Sequence, residues 1–141
     1  MKIAVVDGQG GGLGRSIIEK LSKEISGMAT IIALGTNSMA TASMLKAGAN
    51  EGGTGENAIV VNANRVDIIV GSVGILAANS MLGEFTPKMA EAVASSSAKK
   101  ILIPLNRCGL EIVGTNSESL PGLIDLLVLR VKEICNANGK G

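Results

Sequence analysis

The residues of this sequence that could do chemistry are concentrated in a glycine-rich stretch near its start. Asp7 is followed by five glycines within seven positions, Gly8, Gly10, Gly11, Gly12 and Gly14, interrupted only by Gln9 and Leu13. Glycines leave backbone N–H groups open to a ligand, and at the start of a helix those groups attract anions such as phosphate. The stretch is therefore a candidate phosphate-binding loop.

The spacing of these glycines fits two patterns at once. Gly8, Gly12 and Gly14 give G-x-x-x-G-x-G, which resembles the turn of the short-chain dehydrogenase branch of the Rossmann folds. Gly8, Gly11 and Gly14 give G-x-x-G-x-x-G, which resembles the extended members of that branch. Spacing alone does not choose between them, and the alternative is that some glycines only permit a tight turn and close packing.

The elements around the loop support a binding role. Residues 3–6 form a continuous apolar run typical of a strand buried on both faces, and apolar residues recur at helical spacing from Leu13 to Ile25. A strand, a glycine turn and a helix in this order are the context in which such a loop binds phosphate.

A second candidate loop follows the next predicted strand, residues 29–34. It consists of Gly35, Thr36, Asn37 and Ser38 and precedes a helix predicted over residues 39–47. NAD-binding Rossmann units commonly place an acid here to accept from the ribose 2′-hydroxyl, and this loop has none. A neutral loop favours NADP over NAD, although the expected Arg is also missing. The alternative is that Thr36 or Ser38 only caps the helix.

A third loop repeats the pattern of the first. A strand predicted over residues 67–70 ends in Gly71, Ser72, Val73 and Gly74, which lead into a helix predicted over residues 75–82. Before it, residues 50–55 are either a flexible connection or a short edge strand. Residues 56–63 favour a helix, with a strand as the alternative, and Glu56 at its start is a further candidate for ligand contact.

The C-terminal part supplies a candidate countercharge. A helix is predicted from Thr86 and Pro87 to Ser97, and a strand over residues 99–105. The short turn Asn106 to Gly109 predicts a hairpin, with residues 110–113 antiparallel to that strand. Arg107 in this turn suits phosphate, and Asn106 and Cys108 flank it. The alternative is a solvated arginine beside a half-buried cysteine.

Composition limits the class of protein. The chain has 141 residues, 46% of them hydrophobic, a net charge of +1 and one aromatic residue, Phe85. This balance predicts a single domain over residues 1–135 and argues against nucleic acid as a partner. The two cysteines suggest neither a disulfide framework nor a metal site. The short apolar start and the lack of a spanning segment lead us to expect a cytoplasmic protein without membrane contact.

The missing residue types limit the chemistry further. The sequence has no His, Tyr or Trp, so it can hold neither a Ser-His-Asp triad nor the Tyr–Lys pair of short-chain dehydrogenases. These absences lower the expectation of catalysis.

A last helix is predicted from Ser119 or Leu120 to Cys135, followed by a flexible tail over residues 136–141. Apolar residues extend beyond one stripe of this helix, because Leu126, Val128 and Leu129 lie beside the main face. An isolated chain would leave part of that surface exposed to water, which favours a homo-oligomer, most simply a dimer.

Several motifs together resemble a small bacterial family of unknown function with a Rossmann-like, NAD(P)-binding-type fold. They are DGQGGGLG, ALGTNSMAT, MLKAGAN, GENAIVVNA, DIIVGSVGILAANSMLGE and ILIPLNRCG. The resemblance implies the fold and carries no reaction or ligand.

We therefore expect an α/β protein with a three-layer, doubly wound, mostly parallel sheet and an antiparallel C-terminal edge hairpin. Its predicted function is to bind a nucleotide or dinucleotide, NADP rather than NAD, in a sensory or regulatory role. Two alternatives stay open: a small enzyme acting on a phosphorylated or carboxylate metabolite, and a homodimeric interaction protein with no small-molecule ligand.

Overall fold

A computed structural model of the chain describes residues 1–105, 109–115 and 118–139. In this part of the chain five strands form one sheet in the order β3-β2-β1-β4-β5, and every neighbouring pair is parallel. The strands are β1 (Lys2–Asp7), β2 (Thr30–Gly35), β3 (Glu51–Thr54), β4 (Ile68–Ser72) and β5 (Lys99–Ile103). The predicted α/β class is confirmed.

Helices cover both faces of the sheet. They are α1 (Gly12–Glu24), α2 (Ser38–Ala47), α3 (Glu56–Asn62), α4 (Pro87–Ser95) and α5 (Leu120–Gly139). Helices α1, α2 and α5 bury their apolar residues in one core, and α3 and α4 bury theirs in a second core on the opposite face. Parallel strands joined by helices require both faces to be covered, because neither face of such a sheet is polar.

The central strand β1 shows how the sequence pattern produces this arrangement. Ile3 and Val5 belong to the core under α1, α2 and α5, whereas Ala4 and Val6 belong to the core under α3 and α4. All four are buried, as the continuous apolar run predicts. The strand therefore delivers Asp7 and the glycine loop to the carboxyl edge of the sheet.

The predicted antiparallel hairpin is wrong. β5 ends at Ile103, the amide of Leu105 turns back to the carbonyl of Ile103, and residues 110–113 form no strand. Val113 is 95% exposed. Pro104 has no N–H to continue a ladder, and left-handed turns at Gly109 and Gly114 (φ 73° and 90°) replace the extended backbone that a hairpin needs.

The helix predicted over residues 75–82 is also wrong. A short 3-10 turn, Val73–Leu76, replaces it and is capped by Ser72, whose Oγ accepts from the amide of Gly74 at 3.2 Å. Left-handed backbone at Asn79, Met81 and Leu82 prevents a helix from continuing.

Other element boundaries differ less. The edge-strand alternative for residues 50–55 is realised as β3, and residues 56–62 form a helix rather than a strand. Helix α4 ends at Ser95, two residues before its predicted end. Helix α5 continues to Gly139, so that residues 136–139 are helical where a flexible tail was predicted.

Candidate functional site

The strand order brings the candidate loops to one edge of the sheet. Because all five strands are parallel, the loops after β1, β2 and β4 lie together at their carboxyl ends. The chain proceeds from β1 to β2 and β3 on one side and then crosses to β4 on the other side of β1. Open parallel sheets bind ligands at such a reversal, between β1 and β4 here.

The carboxylate of Asp7 organises the glycine loop. Its Oδ1 accepts from the amide of Gly8 at 2.8 Å, and its Oδ2 accepts from the amide of Gly14 at 2.7 Å. The amide of Gly11 donates to the carbonyl of Gly8 at 2.9 Å and closes the turn. Asp7, predicted as a ligand contact, therefore holds the loop in place, because its carboxylate accepts hydrogen bonds from the backbone amides of Gly8 and Gly14.

Three amides of this loop remain open. Within the part of the chain that the structure describes, the N–H groups of Gly10, Gly12 and Leu13 donate to no other group. Gly12 and Leu13 are the first residues of α1, where the helix dipole adds partial positive charge. These amides could therefore hold an anion.

A cavity of about 530 Å³ lies against the open amides. This volume is within the range of small-molecule sites. The lining combines the glycine loop with the end of β4 and with apolar side chains from later segments. Among the described residues, the lining is formed by Asp7, Gly8, Gln9, Gly10, Gly11, Gly12, Leu13, Ser16, Ser72, Gly74, Met81, Leu82, Leu105 and Leu120.

Four of the five glycines of the loop divide into two pairs. A methyl group on Gly11 would lie 2.8 Å from the Cα of Ala40, and one on Gly14 would lie 2.5 Å from the Sδ of Met44. These two glycines allow α1 to pack closely on α2. A methyl group on Gly10 or Gly12 would meet no atom of the described residues within 4 Å. The packing alternative is thus correct for the first pair, whereas the second pair has open faces.

Glu84, in the segment between β4 and α4, is a site residue that the sequence analysis missed. Its Oε1 accepts from the amide of Gln9 at 2.7 Å, from the Nδ2 of Asn37 at 2.6 Å and from the hydroxyl of Thr36. The hydrogen bond from Thr36 is the largest cause of a lowered pKa of this carboxyl, with smaller contributions from Gln9 and Asn37; partial burial opposes it.

This carboxylate changes the interpretation of the loop after β2. The predicted preference for NADP depended on a neutral environment at this loop. The negatively charged carboxylate of Glu84 instead lies within hydrogen-bond distance of Thr36 and Asn37. Asn37, rather than Thr36 or Ser38, caps α2, because its Oδ1 accepts from the amide of Ala40 at 2.9 Å. Gly35 is needed for packing, since a methyl group there would overlap the Oγ1 of Thr41.

The loop after β4 contributes in part. Ser72 and Gly74 line the cavity, whereas Gly71 is buried in the sheet and a methyl group on it would lie 2.7 Å from the carbonyl oxygen of Val6. Val73 begins the 3-10 turn and does not line the cavity. Ser80 fixes the loop by donating from Oγ to the carbonyl of Gly74 at 2.7 Å.

Glu56, another predicted site residue, lies away from the cavity. The Oε2 of Glu56 accepts from the hydroxyl of Thr86 at 2.6 Å, and Glu56 does not line the cavity. Asn106, Arg107 and Cys108 lie outside the described residues. Among those described, no three His, Cys, Asp or Glu side chains are grouped as a metal site would require.

The site residues that the sequence analysis missed fall into two groups. Met81, Leu82 and Glu84 belong to a segment that the apolar pattern assigned to a helix and its end. Leu105 ends the predicted strand over residues 99–105 and Leu120 lies at the start of the predicted last helix, and nothing in the sequence separates either from a core position. The one available signal was Glu84 itself, an acid next to Gly83 in a chain with few acids near its glycine loops.

The comparisons with known proteins place the chain in a family. The model of the domain of unknown function DUF3842 matches residues 2–136, and the chain belongs to this family. A search of curated proteins finds no match.

Two solved structures are similar in fold. One is the crystal structure of a dodecameric FMN-dependent UbiX-like decarboxylase from Escherichia coli O157:H7, with 13% identity and a TM-score of 0.51, covering 94% of this chain and 93% of that chain. The other is a universal stress protein in complex with cAMP, with 20% identity and a TM-score of 0.40, covering 72% of this chain and 95% of that chain. At 13% identity the likeness to the decarboxylase extends to the fold alone.

No helix in the described part of the chain combines the length and the apolar character needed to cross a membrane.

Proposed function

We propose that this member of the DUF3842 family binds a nucleotide whose phosphate lies on the amides of Gly10, Gly12 and Leu13. The observation that carries the proposal is the coincidence of three open amides with a cavity of about 530 Å³ at the reversal point of the sheet. Open donors at the amino end of α1 compensate phosphate charge without a metal ion. The open faces of Gly10 and Gly12 let the phosphate approach the backbone.

The opposite wall of the cavity suits a flat, largely apolar group. Met81, Leu82, Leu105 and Leu120 supply apolar surface, and the hydroxyl of Ser72 lies at the end of β4. Ligand sites combine such walls with a few polar groups that fix orientation. A nucleobase or flavin ring would lie against these leucines, and Ser72 would orient it.

The role we propose is sensory or regulatory. Without His or Tyr the chain lacks the usual proton-transfer groups of dehydrogenases. Asp7 is engaged by the loop amides, and Glu56 is engaged by Thr86 outside the cavity. The alternative of a small enzyme acting on a phosphorylated or carboxylate metabolite would use the same cavity.

A second proposal, formation of a homodimer, rests on α5. Leu126 and Leu129 on this helix are each 53% exposed, and Leu120 is 38% exposed. Exposed leucines on one helix are a common feature of subunit contacts. Dimer formation and nucleotide binding are compatible.

Native mass spectrometry with added AMP, FMN, NAD or NADP tests the nucleotide proposal and also reports the number of subunits. FMN is included because the fold neighbour is FMN-dependent. We expect a nucleotide adduct on the wild-type protein that Gly12→Val abolishes, because the valine side chain would enter the open space at the amides.

The matched control is Gly139→Val. A methyl group on Gly139 would likewise meet no atom of the described residues within 4 Å, and Gly139 lies at the end of α5, away from the cavity. This variant should keep the adduct. Absence of any adduct on the wild-type protein, or an adduct that survives Gly12→Val, would contradict the proposal.

A further inference from the structure

We infer that the nucleotide is a mononucleotide and that dinucleotides are excluded, because Glu84 and Met81 occupy the path from the glycine loop to β2. The inference rests on the proposed function and names the class of ligand. In a dinucleotide-binding Rossmann unit one nucleotide half crosses the first glycine and places its ribose at the end of β2.

The first observation is the set of hydrogen bonds made by Glu84. One carboxylate oxygen joins the amide of Gln9, the hydroxyl of Thr36 and the side-chain amide of Asn37. The same Nδ2 of Asn37 also donates to the carbonyl of Gln9 at 2.9 Å. The loop after β1 and the loop after β2 are therefore tied to each other, and the groups that would meet a ribose are already bonded within the chain.

The second observation concerns the face of Gly8. A methyl group there would lie 2.6 Å from the Oγ1 of Thr36, 2.7 Å from the Sδ of Met81 and 3.0 Å from the Oε1 of Glu84. Three side chains thus converge on the bare face of the first glycine. A ligand group on the Cα face of Gly8 would meet these three side chains, whereas one at the corresponding face of Gly10 or Gly12 would meet no atom of the described residues within 4 Å.

The third observation is that the covering segment is firmly attached at its base. Phe85 is fully buried, and Ser80, also buried, bonds the carbonyl of Gly74. The amide of Asn79 donates to the carbonyl of Phe85 at 2.9 Å, and the amide of Phe85 donates to the carbonyl of Ser80 at 3.1 Å. These contacts position Met81 and Glu84 over Gly8.

The cavity is correspondingly one-sided. Its lining includes Ser72, Gly74, Leu105 and Leu120, from the β4 side, and includes no residue of the loop after β2. A mononucleotide with its phosphate on the glycine loop and its base on the β4 side would occupy this cavity. The second half of a dinucleotide would require Met81 and Glu84 to leave.

Dissociation constants measured by calorimetry for AMP, FMN, NAD and NADP test the inference. We expect the wild-type protein to bind AMP or FMN at least about tenfold more tightly than either dinucleotide. The double variant Met81→Ala/Glu84→Ala should gain affinity for NAD by about tenfold.

The matched control is Glu84→Gln, which removes the charge and keeps the size of the side chain. It should exclude NAD as the wild-type protein does, because the barrier is occupied space. NAD binding by Glu84→Gln, or no gain in NAD affinity for the double variant, would overturn the inference.

Failure of the inference differs from failure of the proposed function. If wild-type protein binds NAD as tightly as AMP or FMN, and Gly12→Val abolishes that binding, then the nucleotide proposal stands and the mononucleotide inference is wrong. If no nucleotide binds, both are wrong. The wild-type measurement is decisive even where the double variant does not fold.

Discussion

The carboxylate of Glu84 accepts a 2.7 Å hydrogen bond from the backbone amide of Gln9, 75 positions away in the sequence. This contact fastens the segment before α4 onto the glycine loop after β1. Gln9 therefore donates to the protein, whereas the amides of Gly10, Gly12 and Leu13 donate to no group in the described part of the chain. One part of the loop thus has its backbone amides hydrogen-bonded within the chain, and the other part has amides available to a ligand.

Lowering the pH should reduce the free energy of unfolding, because Glu84 becomes protonated. Its folded-state pKa lies below its unfolded value, chiefly because of the Thr36 hydrogen bond. The stabilisation is therefore complete above the ordinary pKa of a glutamate and is lost as the pH falls through the lower folded-state pKa. Urea unfolding at a series of pH values from neutral into this acidic range should show a falling free energy of unfolding.

Glu84→Gln isolates this contribution. The pKa of Glu24 is also lowered, by its hydrogen bond and charge interaction with Lys132, so part of the acid dependence belongs to that exposed pair. The variant should be less sensitive to pH than the wild-type protein in the same window. An unchanged pH dependence would show that Glu84 is not held as described.

Substitution of the adjacent residues Gly11 and Gly12 by alanine should have different effects on the free energy of unfolding. Gly11→Ala should lower the free energy of unfolding by at least about 2 kcal/mol, because Gly11 has φ 74° and faces the backbone of Ala40. Gly12→Ala should leave it unchanged or raise it by up to about 1 kcal/mol, because that position is helical and open. Denaturant titration of the pair measures both, and equal effects would contradict the division of the glycines.

Leu82→Asn should stabilise the protein by about 1 kcal/mol, since leucine is strained in left-handed backbone and asparagine tolerates it. Leu82 has φ 57° and is 100% exposed, so the substitution loses no burial. The melting temperature should rise by a few degrees. Leu82→Val, whose branched side chain fits this backbone poorly, is the control and should lower it; a rise in both variants would contradict strain at Leu82.

The exposed leucines of α5 should mediate self-association. Sedimentation velocity is expected to show a dimer for the wild-type protein and a monomer for Leu126→Asp/Leu129→Asp, because charges at a subunit contact are costly. Val113→Asp changes a residue that is more exposed but lies off the helix, and it should remain a dimer. A monomeric wild-type protein would remove the homodimer proposal.

Local patterns predicted the framework of the fold. The apolar run over residues 3–6 and the helical spacing from Leu13 to Ile25 were sufficient to identify β1 and α1. Both signals are strong because the strand is buried on both faces and the helix buries one stripe, and the spacing of apolar residues in the sequence follows directly from that burial. The hairpin after β5 failed because turn residues and a short apolar run do not reveal whether a neighbouring edge strand is available for pairing.

The glycine loop was identifiable from the sequence, whereas its division was not. Whether Gly11 faces Ala40 or a ligand depends on how α1 packs on α2, which spacing does not encode. Glu84 was missed for the same reason, because its partners Gln9, Thr36 and Asn37 come from distant segments. Left-handed backbone at Met81 and Leu82 contradicts local propensity and thus cannot be predicted from it.

The most direct test of the central claim is a titration of ¹⁵N-labelled protein with AMP and FMN, followed through backbone amide chemical shifts. We predict that the largest shifts occur at Gly10, Gly12 and Leu13, with Gly11 and Gly14 moving little because their amides are bonded within the loop. The same titration of Gly12→Val should produce no shifts there. Shifts confined to other parts of the chain, or none at saturating nucleotide, would contradict phosphate binding at this loop.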